Sequence, residues 1–346
     1  MSTLQIGLAV AGGVVLAAVV AHGAWTSRKN QPRQPVQDPR DSQLGAAEPS
    51  LDPTEPSLDE ARFTLPAVQR KPALDPLIDA IATVSLDGNG GVVSGEAAMA
   101  ALPPTRRVGT KPFAVEGLNP HNSQWEPPQA GQRYSAFQAG VQLANRSGAL
   151  NEIEFSEFVV KTQAFADAIG AVPEFTEMVD EVARAKELDQ FASVHDAQLM
   201  FSLRARNASW SPGFVQQHAA KLGFVPGVMP GRMVIAASQE GLPPVLVLEF
   251  DSQAALAEDM EHSAIRELAL HLDVGQVDGS ERPFERMCEV AIALSQQMDG
   301  VVTDDNGRVL TQETLNRIAE DLQTLYRSLE QRDFAAGSAL ARRLFS

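Results

Sequence analysis

The chain has 346 residues, 44% of them hydrophobic, so it is long enough for two ordinary domains and accessory segments. Its formal net charge of -16 and isoelectric point near 4.8 argue against a nucleic-acid partner, because phosphate groups repel an acidic protein that has no dense basic patch. The single cysteine, Cys288, excludes an internal disulfide and fits a reducing compartment.

The N-terminal segment, residues 1–29, is predicted to be a transmembrane anchor with a basic inner flank. Residues 4–25 contain no Asp, Glu, Lys or Arg, and a helix of that length spans about 33 Å, enough for a hydrocarbon core of about 30 Å. Positive charges follow this stretch and do not precede it, which disfavours a cleaved signal peptide and places the C-terminal side in the cytoplasm. The residues assigned to the anchor are Leu4, Ile6, Leu8, Val14, Leu16, Trp25, Arg28 and Lys29.

Small residues lie within the predicted span at Gly7, Ala11, Gly12 and Gly13. Small side chains let two transmembrane helices approach closely, so self-association through the anchor is a further hypothesis. A buried core helix is the alternative interpretation of the same stretch, although such helices rarely stand at the extreme N-terminus before a proline-rich segment.

Residues 30–75 are predicted to be a disordered linker. The segment is rich in Pro, Gln, Asp and Ser, poor in aromatic residues, and contains the sequence Glu-Pro-Ser-Leu-Asp twice. Such a composition does not bury enough apolar surface to fold. A flexible coil of this length has a mean reach of about 35–40 Å, so it would present the following domains beside the membrane.

Residues 195–333 are predicted to form one α+β unit in the order βαβββαβα. Leu199, Phe201 and Leu203 alternate with other residues in the manner of a strand with one apolar face. A helix over 212–222 is predicted because Ser211 is a good N-cap and proline suits the first helical position. The remaining predicted elements are strands over 232–237, 244–250, 267–274 and 301–303, a helix over 283–298 and a last helix that begins after Thr311.

Residues 76–191 are predicted to be a second α+β unit, a degenerate copy of the first. Apolar positions from Phe155 to Val172 match those from Phe284 to Val301 at an offset of 129, and the preceding strand keeps this offset. The first strands match at an offset of 117. The predicted fold class is therefore α+β, with two units that each have an antiparallel sheet covered on one face by helices in a split βαβ arrangement. Chance similarity between two unrelated α+β units is the alternative.

Two motifs resemble the ZipA family of cell-division proteins. They are residues 22–29, His-Gly-Ala-Trp-Thr-Ser-Arg-Lys, and residues 299–305, Asp-Gly-Val-Val-Thr-Asp-Asp, followed by Leu310-Thr311. The resemblance covers about 165 of the 346 residues. It implies a single-pass protein of the bacterial inner membrane at the midcell division site, with a periplasmic N-terminus and cytoplasmic domains. Such a protein binds the C-terminal peptide of FtsZ through residues 195–333 and tethers the Z ring to the bilayer during septation.

The resemblance also implies a shallow hydrophobic groove on the open face of the sheet. Strand alternation assigns this peptide-binding face to Met200, Ser202, Met233, Ile235, Val247, Ala269 and His271. His271 stands where a large apolar residue is expected, so the groove is expected to be less apolar than in the family. The chain also departs from the family in its short linker, in the extra unit of 76–191, and in a C-terminal tail over 334–346.

No catalytic residue, metal site or cofactor is predicted. The histidines lack ligand spacing, and phosphate-binding loops and nucleophile elbows are absent from the sequence. The segment after Asp87 begins like a calcium loop, but the glycine and glutamate that an EF-hand requires at its sixth and twelfth positions are replaced by Val92 and Ala98. We therefore expect a protein that is not an enzyme. A membrane-tethered sensor of a small ligand, or a scaffold, built from the two α+β repeats, is the alternative.

Overall fold

The computed structural model describes residues 33–34, 74–86, 91–257, 259 and 263–346, which fall into two compact units. The proximal unit contains residues 74–196 and 339–346, and the distal unit contains residues 33–34 and 197–338. The predicted anchor and most of the predicted linker lie outside the described residues. Within the described ranges, no helix has both the length and the apolar character needed to cross a membrane.

The proximal unit is built on an antiparallel sheet. Its strands are β1 (Asp79–Leu86), β2 (Val93–Ser94), β3 (Arg107–Val108), β4 (Lys111–Asn119), β5 (Gln124–Glu126), β6 (Arg133–Tyr134), β7 (Ala136–Gln142), β8 (Ala144–Asn145), β9 (Gly148–Ala149) and β10 (Ala171–Glu174). Its first three helices are α1 (Gly95–Ala101), α2 (Glu152–Ile169) and α3 (Met178–His195). The main sheet has the strand order β10-β1-β7-β4-β3, with β5 paired to β4.

A cluster of phenylalanines forms much of the proximal core between the sheet and helix α2. The ring centroids of Phe113 and Phe158 are 6.1 Å apart, and those of Phe137 and Phe165 are 5.4 Å apart, both in edge-to-face geometry. All four rings are buried. Buried aromatic rings contribute large apolar areas to a core, so this packing fixes α2 on one face of the sheet.

The distal unit is also built on one antiparallel sheet with helices. Its strands are β11 (Gln198–Ala205), β12 (Val225–Pro226), β13 (Arg232–Ile235), β14 (Leu246–Phe250), β15 (Glu267–Asp273) and β16 (Gly300–Thr303), and its helices are α4 (Pro212–Lys221), α5 (Ser252–Leu256), α6 (Pro283–Met298) and α7 (Gln312–Glu330). All six strands form one antiparallel sheet in the order β12-β13-β14-β15-β11-β16. The predicted mixed α+β class with antiparallel sheets is confirmed for the described residues.

Local signals in the sequence explain the helix boundaries of the distal unit. The Ser211 hydroxyl accepts a hydrogen bond from the Phe214 N–H at 3.2 Å, and Pro212 occupies the first turn of α4. Helix α6 begins at Pro283, and Thr311 caps α7 through the Thr314 N–H. The elements that the sequence missed in the described part of this unit are short: β12, α5 and two 3-10 helices, Val274–Gln276 and Gly279–Glu281, which are too brief to leave a periodic pattern.

The two sheets share one order of elements. The proximal order β10-β1-β7-β4-β3 corresponds to the distal order β16-β11-β15-β14-β13. Helices α2 and α6 end at residues with left-handed backbone conformation, Gly170 and Asp299, and each is followed by a four-residue edge strand. These helix ends lie 129 residues apart, as the sequence comparison gave.

Strand pairing corrects two of the sequence offsets. Leu86 pairs with Ala171, and Ala205 pairs with Gly300, so β1 corresponds to β11 at an offset of 119 (205 minus 86) and not 117. On their other sides, β1 pairs with β7 and β11 pairs with β15. Ser85 pairs with Ala136 and Arg204 pairs with Glu267, so β7 corresponds to β15 at an offset of 131 (267 minus 136) and not 129. The sequence-based offsets matched apolar residues to apolar residues, but each strand was aligned two residues away from its true equivalent. A shift of two residues leaves the alternation of the strand unchanged, so the sequence pattern does not reveal it.

The C-terminal residues belong to the proximal unit. Helix α8 (Ala339–Leu344) follows the distal unit, and Leu344 and Phe345 are buried. Arg343 makes two hydrogen bonds to the buried carboxylate of Asp79 on β1, at 3.0 and 2.5 Å. Its carbonyl oxygen accepts a further hydrogen bond from the Gln142 side chain at 2.9 Å. Residues 339–346 thus contact strands that lie about two hundred or more residues earlier in the chain.

One residue from the start of the predicted linker contacts the distal unit. The Arg33 N–H donates to the Ser209 carbonyl at 2.8 Å, and its own carbonyl accepts the Ser211 N–H at 3.1 Å. The Arg33 guanidinium pairs with Asp299 at 2.9 Å. A hydrogen bond from the Asn207 side chain, together with the nearby positive charges of Arg33 and Arg206, holds the pKa of the Asp299 carboxyl below its usual value.

Leu74, near the end of the predicted linker, lies on the open face of the proximal sheet. It is buried, and a Cβ atom added at Gly140 on β7 would come within 2.5 Å of its side chain. We expect Gly140→Val to lower the free energy of unfolding of the proximal unit by about 1–3 kcal/mol, because the added side chain must displace Leu74. Denaturant titration would measure this loss.

A double variant provides the control for that measurement. Replacing Leu74 by alanine removes the group that the new valine meets, so the Gly140→Val penalty should shrink in the Leu74→Ala background. Equal penalties in the two backgrounds would contradict the close packing of Leu74 on Gly140.

Candidate functional site

The open face of the distal sheet carries a mostly apolar row, four apolar residues and one histidine, that crosses five strands. Adjacent members are cross-strand partners, from Val225 on β12 through Val234, Val247 and His271 to Met200 on β11. Val225 is 50% exposed and Met200 is 37% exposed, and the middle members are half-buried. With strands about 4.8 Å apart, the row is about 19 Å long. We call these five residues the apolar row.

A second row, four polar residues and one alanine, runs beside the apolar row on the same face. Its members, in the order of the strands, are Arg232, Glu249, Ala269, Ser202 and Thr303. The Glu249 carboxylate lies 3.5 Å from the Arg232 guanidinium and 3.6 Å from the imidazole of His271. The Glu249 carboxylate therefore lies on the open face beside the apolar row, between two basic side chains.

A groove of about 300 Å³ lies over the middle of these rows and extends along β14 and β15. Val247, Glu249 and His271 line its floor, and Pro243 and Pro244 form part of its wall. The groove is half open to solvent and mixes polar and apolar surface, so its shape suits an extended chain better than a small enclosed ligand.

The structure corrects the predicted peptide-binding face at β13. Met233 and Ile235 are each only 3% exposed and pair with Leu248 and Leu246, which belong to the core. Val234 lies between them on the open face. Cross-strand partners in an antiparallel sheet project to the same side, and the pairing with β14 therefore fixes the phase of β13.

The other predicted face residues lie on the open side. Met200, Val247, Ala269 and His271 are exposed or half-buried there. Ser202 shares this side but is only 4% exposed, so little of its surface is available to a partner. Whether any of these residues contacts a peptide stays a prediction.

Sequence reasoning missed Val225, Val234 and Arg232 as residues of this face. Val225 lies on a two-residue strand that no periodic pattern identifies. In β13 the residues at 233, 234 and 235 are all apolar, so alternation alone fits either phase. Arg232 could have identified the correct phase, because a charged residue in a short strand is expected to face solvent, and Val234 then faces solvent with it.

Two other grooves are less suited to a polypeptide ligand. One of about 230 Å³ lies on the helical side of the distal unit and contains Cys288, where burial and the charges of Glu285 and Glu289 raise the pKa of the thiol to about 11. A thiol with such a pKa is a poor nucleophile. The other, about 120 Å³, lies along β4 of the proximal unit. In the part of the chain that is described, no group of three or more His, Cys, Asp or Glu is arranged to hold a metal ion.

Fold and face together define an α+β domain with an antiparallel sheet whose open face carries a partly exposed, mostly apolar row. Residues 248–321, from β14 into α7, match the family described as ZipA, C-terminal FtsZ-binding domain. This match includes the motif at 299–305 and confirms the resemblance to the ZipA family for that part of the chain. It indicates an FtsZ-binding function in cell division.

Other comparisons add little. No curated protein matches the chain significantly. Among solved structures, a variant of berberine bridge enzyme in complex with (S)-reticuline aligns at 10% identity with a TM-score of 0.15. The alignment covers 77% of this chain and 52% of that structure, so the chain spans about half its length. A TM-score this low carries no argument about fold or function.

Proposed function

We propose that this protein is a membrane-anchored cell-division adaptor whose distal unit binds the C-terminal tail of FtsZ on the open face of its sheet. The observation that carries the proposal is the apolar row, which lies in the unit that contains the family match and which helices leave uncovered. Through its anchor the adaptor would tether the Z ring to the inner membrane. This function requires neither catalysis nor a cofactor.

Energetics set how much of the apolar row must take part. Full burial of one aliphatic side chain contributes about 1.5–3 kcal/mol, and a micromolar complex needs about 8 kcal/mol net. The valines in the middle of the row are already half-buried, so each can contribute only part of its value. A micromolar complex therefore requires several members of the row to be covered together.

The membrane part of the proposal is supported by residues 1–29, which lie outside the described structure. The uncharged stretch, the basic residues that follow it and its resemblance to the family anchor support a single-pass protein with its folded units in the cytoplasm. Self-association through this segment remains a hypothesis.

The proximal unit is proposed to be an internal duplicate of the distal unit. The shared strand order and the left-handed helix ends at Gly170 and Asp299 support this relationship. Leu74 covers part of the open face of the duplicate, so the proximal unit is not a second free peptide site.

Vesicle binding tests the whole proposal. The full chain reconstituted into lipid vesicles should recruit FtsZ to the vesicle fraction, and a synthetic FtsZ tail peptide should compete. A chain that begins at residue 30 should leave the vesicles yet still bind the peptide, because anchor and binding face are separate. Loss of peptide binding in that shortened chain, with the distal unit still folded, would contradict the assignment of binding to the sheet face.

A further inference from the structure

The contact of Leu74 in the proximal unit resembles a bound peptide residue. Its N–H donates to Glu116 Oε1 at 3.3 Å, and its side chain packs over Gly140 on the neighbouring strand. The second oxygen of the Glu116 carboxylate accepts from the Gln138 side chain at 2.8 Å. A chain segment thus lies on the open face with its backbone on a carboxylate and its aliphatic side chain on the sheet.

Strand pairing identifies the equivalent positions in the distal unit. Gly140 corresponds to His271 at the offset of 131 that pairing gives for β7 and β15. In the proximal unit, Glu116 is the cross-strand partner of Gln138, and Gln138 corresponds to Ala269 at the same offset. In the distal unit, the cross-strand partner of Ala269 is Glu249, so Glu116 corresponds to Glu249. A glutamate therefore occupies the same place on both open faces, beside the place that Leu74 covers in the proximal unit.

We propose, as an extension of the FtsZ-binding function, that Glu249 accepts a backbone N–H of the bound peptide while an aliphatic side chain of the peptide covers His271. The partner class is an extended segment with a leucine-like residue whose N–H is free. Imidazole in place of Gly140 raises the floor of the site, so the aliphatic side chain lies less deeply than Leu74 does.

Glu249 is available for this hydrogen bond in the unbound protein. Its distances to Arg232 and His271, 3.5 and 3.6 Å, exceed those of ordinary hydrogen bonds, and its side chain is 44% exposed. A peptide that covers it would exclude water and strengthen a charge-assisted hydrogen bond.

Glu249→Ala tests the proposal against a closely matched control, Glu267→Ala. Glu267 lies on the same strand face as the Ala269 and His271 positions, is 48% exposed and pairs with Arg204 at 3.1 Å. Both variants remove the same atoms and the same charge. In titrations of the full chain with a synthetic FtsZ tail peptide, we expect Glu249→Ala to weaken binding about tenfold or more and Glu267→Ala less than about twofold.

N-methylation of the peptide separates a backbone contact from an indirect effect. Methylation of one peptide nitrogen should weaken binding to the unmodified chain about tenfold and should change binding to Glu249→Ala less than about twofold. If each methylated peptide loses the same factor with both proteins, Glu249 accepts no backbone N–H and the inference is overturned. Absence of binding by the unmodified chain would instead remove the proposed FtsZ-binding function itself.

Discussion

Val247→Asp should weaken binding of the FtsZ tail peptide by more than about a hundredfold. Val247 is the central member of the apolar row, with Val234 and His271 as its cross-strand partners. Covering an aspartate with a peptide loses the apolar contact and removes the hydration of a charge, and the two costs together exceed about 3 kcal/mol. Isothermal titration of the full chain with the peptide would measure the loss.

Val309→Asp is the matched control for Val247→Asp. Val309 is 62% exposed, and it lies in the loop between β16 and α7, on the helical side of the distal unit. The Val309→Asp variant should bind the peptide with the same affinity as the unmodified chain. Val247 is half-buried in a central strand, so Val247→Asp should unfold at a lower temperature than Val309→Asp, and the titrations compare the two at a temperature where both are folded. Equal affinity of both variants for the peptide would exclude the apolar row as the binding site.

The sequence predicted the elements of the distal unit well because their signals are local. Ser211, Pro212, Pro283 and Thr311 mark helix starts through hydrogen bonds and backbone constraints within a few residues. Strands β11, β14 and β15 alternate regularly over five or more residues. The class of fold and most helix boundaries follow from such signals.

The predicted site was less accurate because it depended on pairing between strands. A strand whose residues are apolar on both sides, such as β13, has no intrinsic phase, and only its partner decides which residues face the core. The same limit explains the two-residue slips in the repeat offsets. Both errors change which side chains meet while leaving the apolar pattern unaltered.

The position of the C-terminal residues was also beyond local reasoning. The predicted tail over 334–346 offered no sign that its arginine meets a carboxylate on the first proximal strand. Asp79 and Arg343 are 264 positions apart, and neither has unusual neighbours in the sequence. A contact between residues so far apart in the chain can be identified only from the folded structure.

Arg343→Ala should destabilise the proximal unit by about 3–5 kcal/mol. The Asp79 side chain has no exposed surface, and Arg343 supplies both of its charged hydrogen bonds. Removal of one partner from a buried ion pair leaves an uncompensated charge, which costs much more than the net value of the intact pair. Denaturant unfolding of the full chain, followed by a probe in the proximal unit, would measure the loss.

The pH dependence of Arg343→Ala distinguishes an unpaired charge from lost packing. Burial raises the pKa of the Asp79 carboxyl above its usual value, and Arg343 opposes that rise. Without Arg343 the pKa must rise further, so the deficit is largest at neutral pH and diminishes as pH falls through the raised pKa, where the folded state takes up a proton. Asp79→Asn combined with Arg343→Ala should recover part of the loss at neutral pH, because the buried group is then uncharged. A deficit that is independent of pH and of the Asp79 substitution would mean that Arg343 acts through packing of α8 alone.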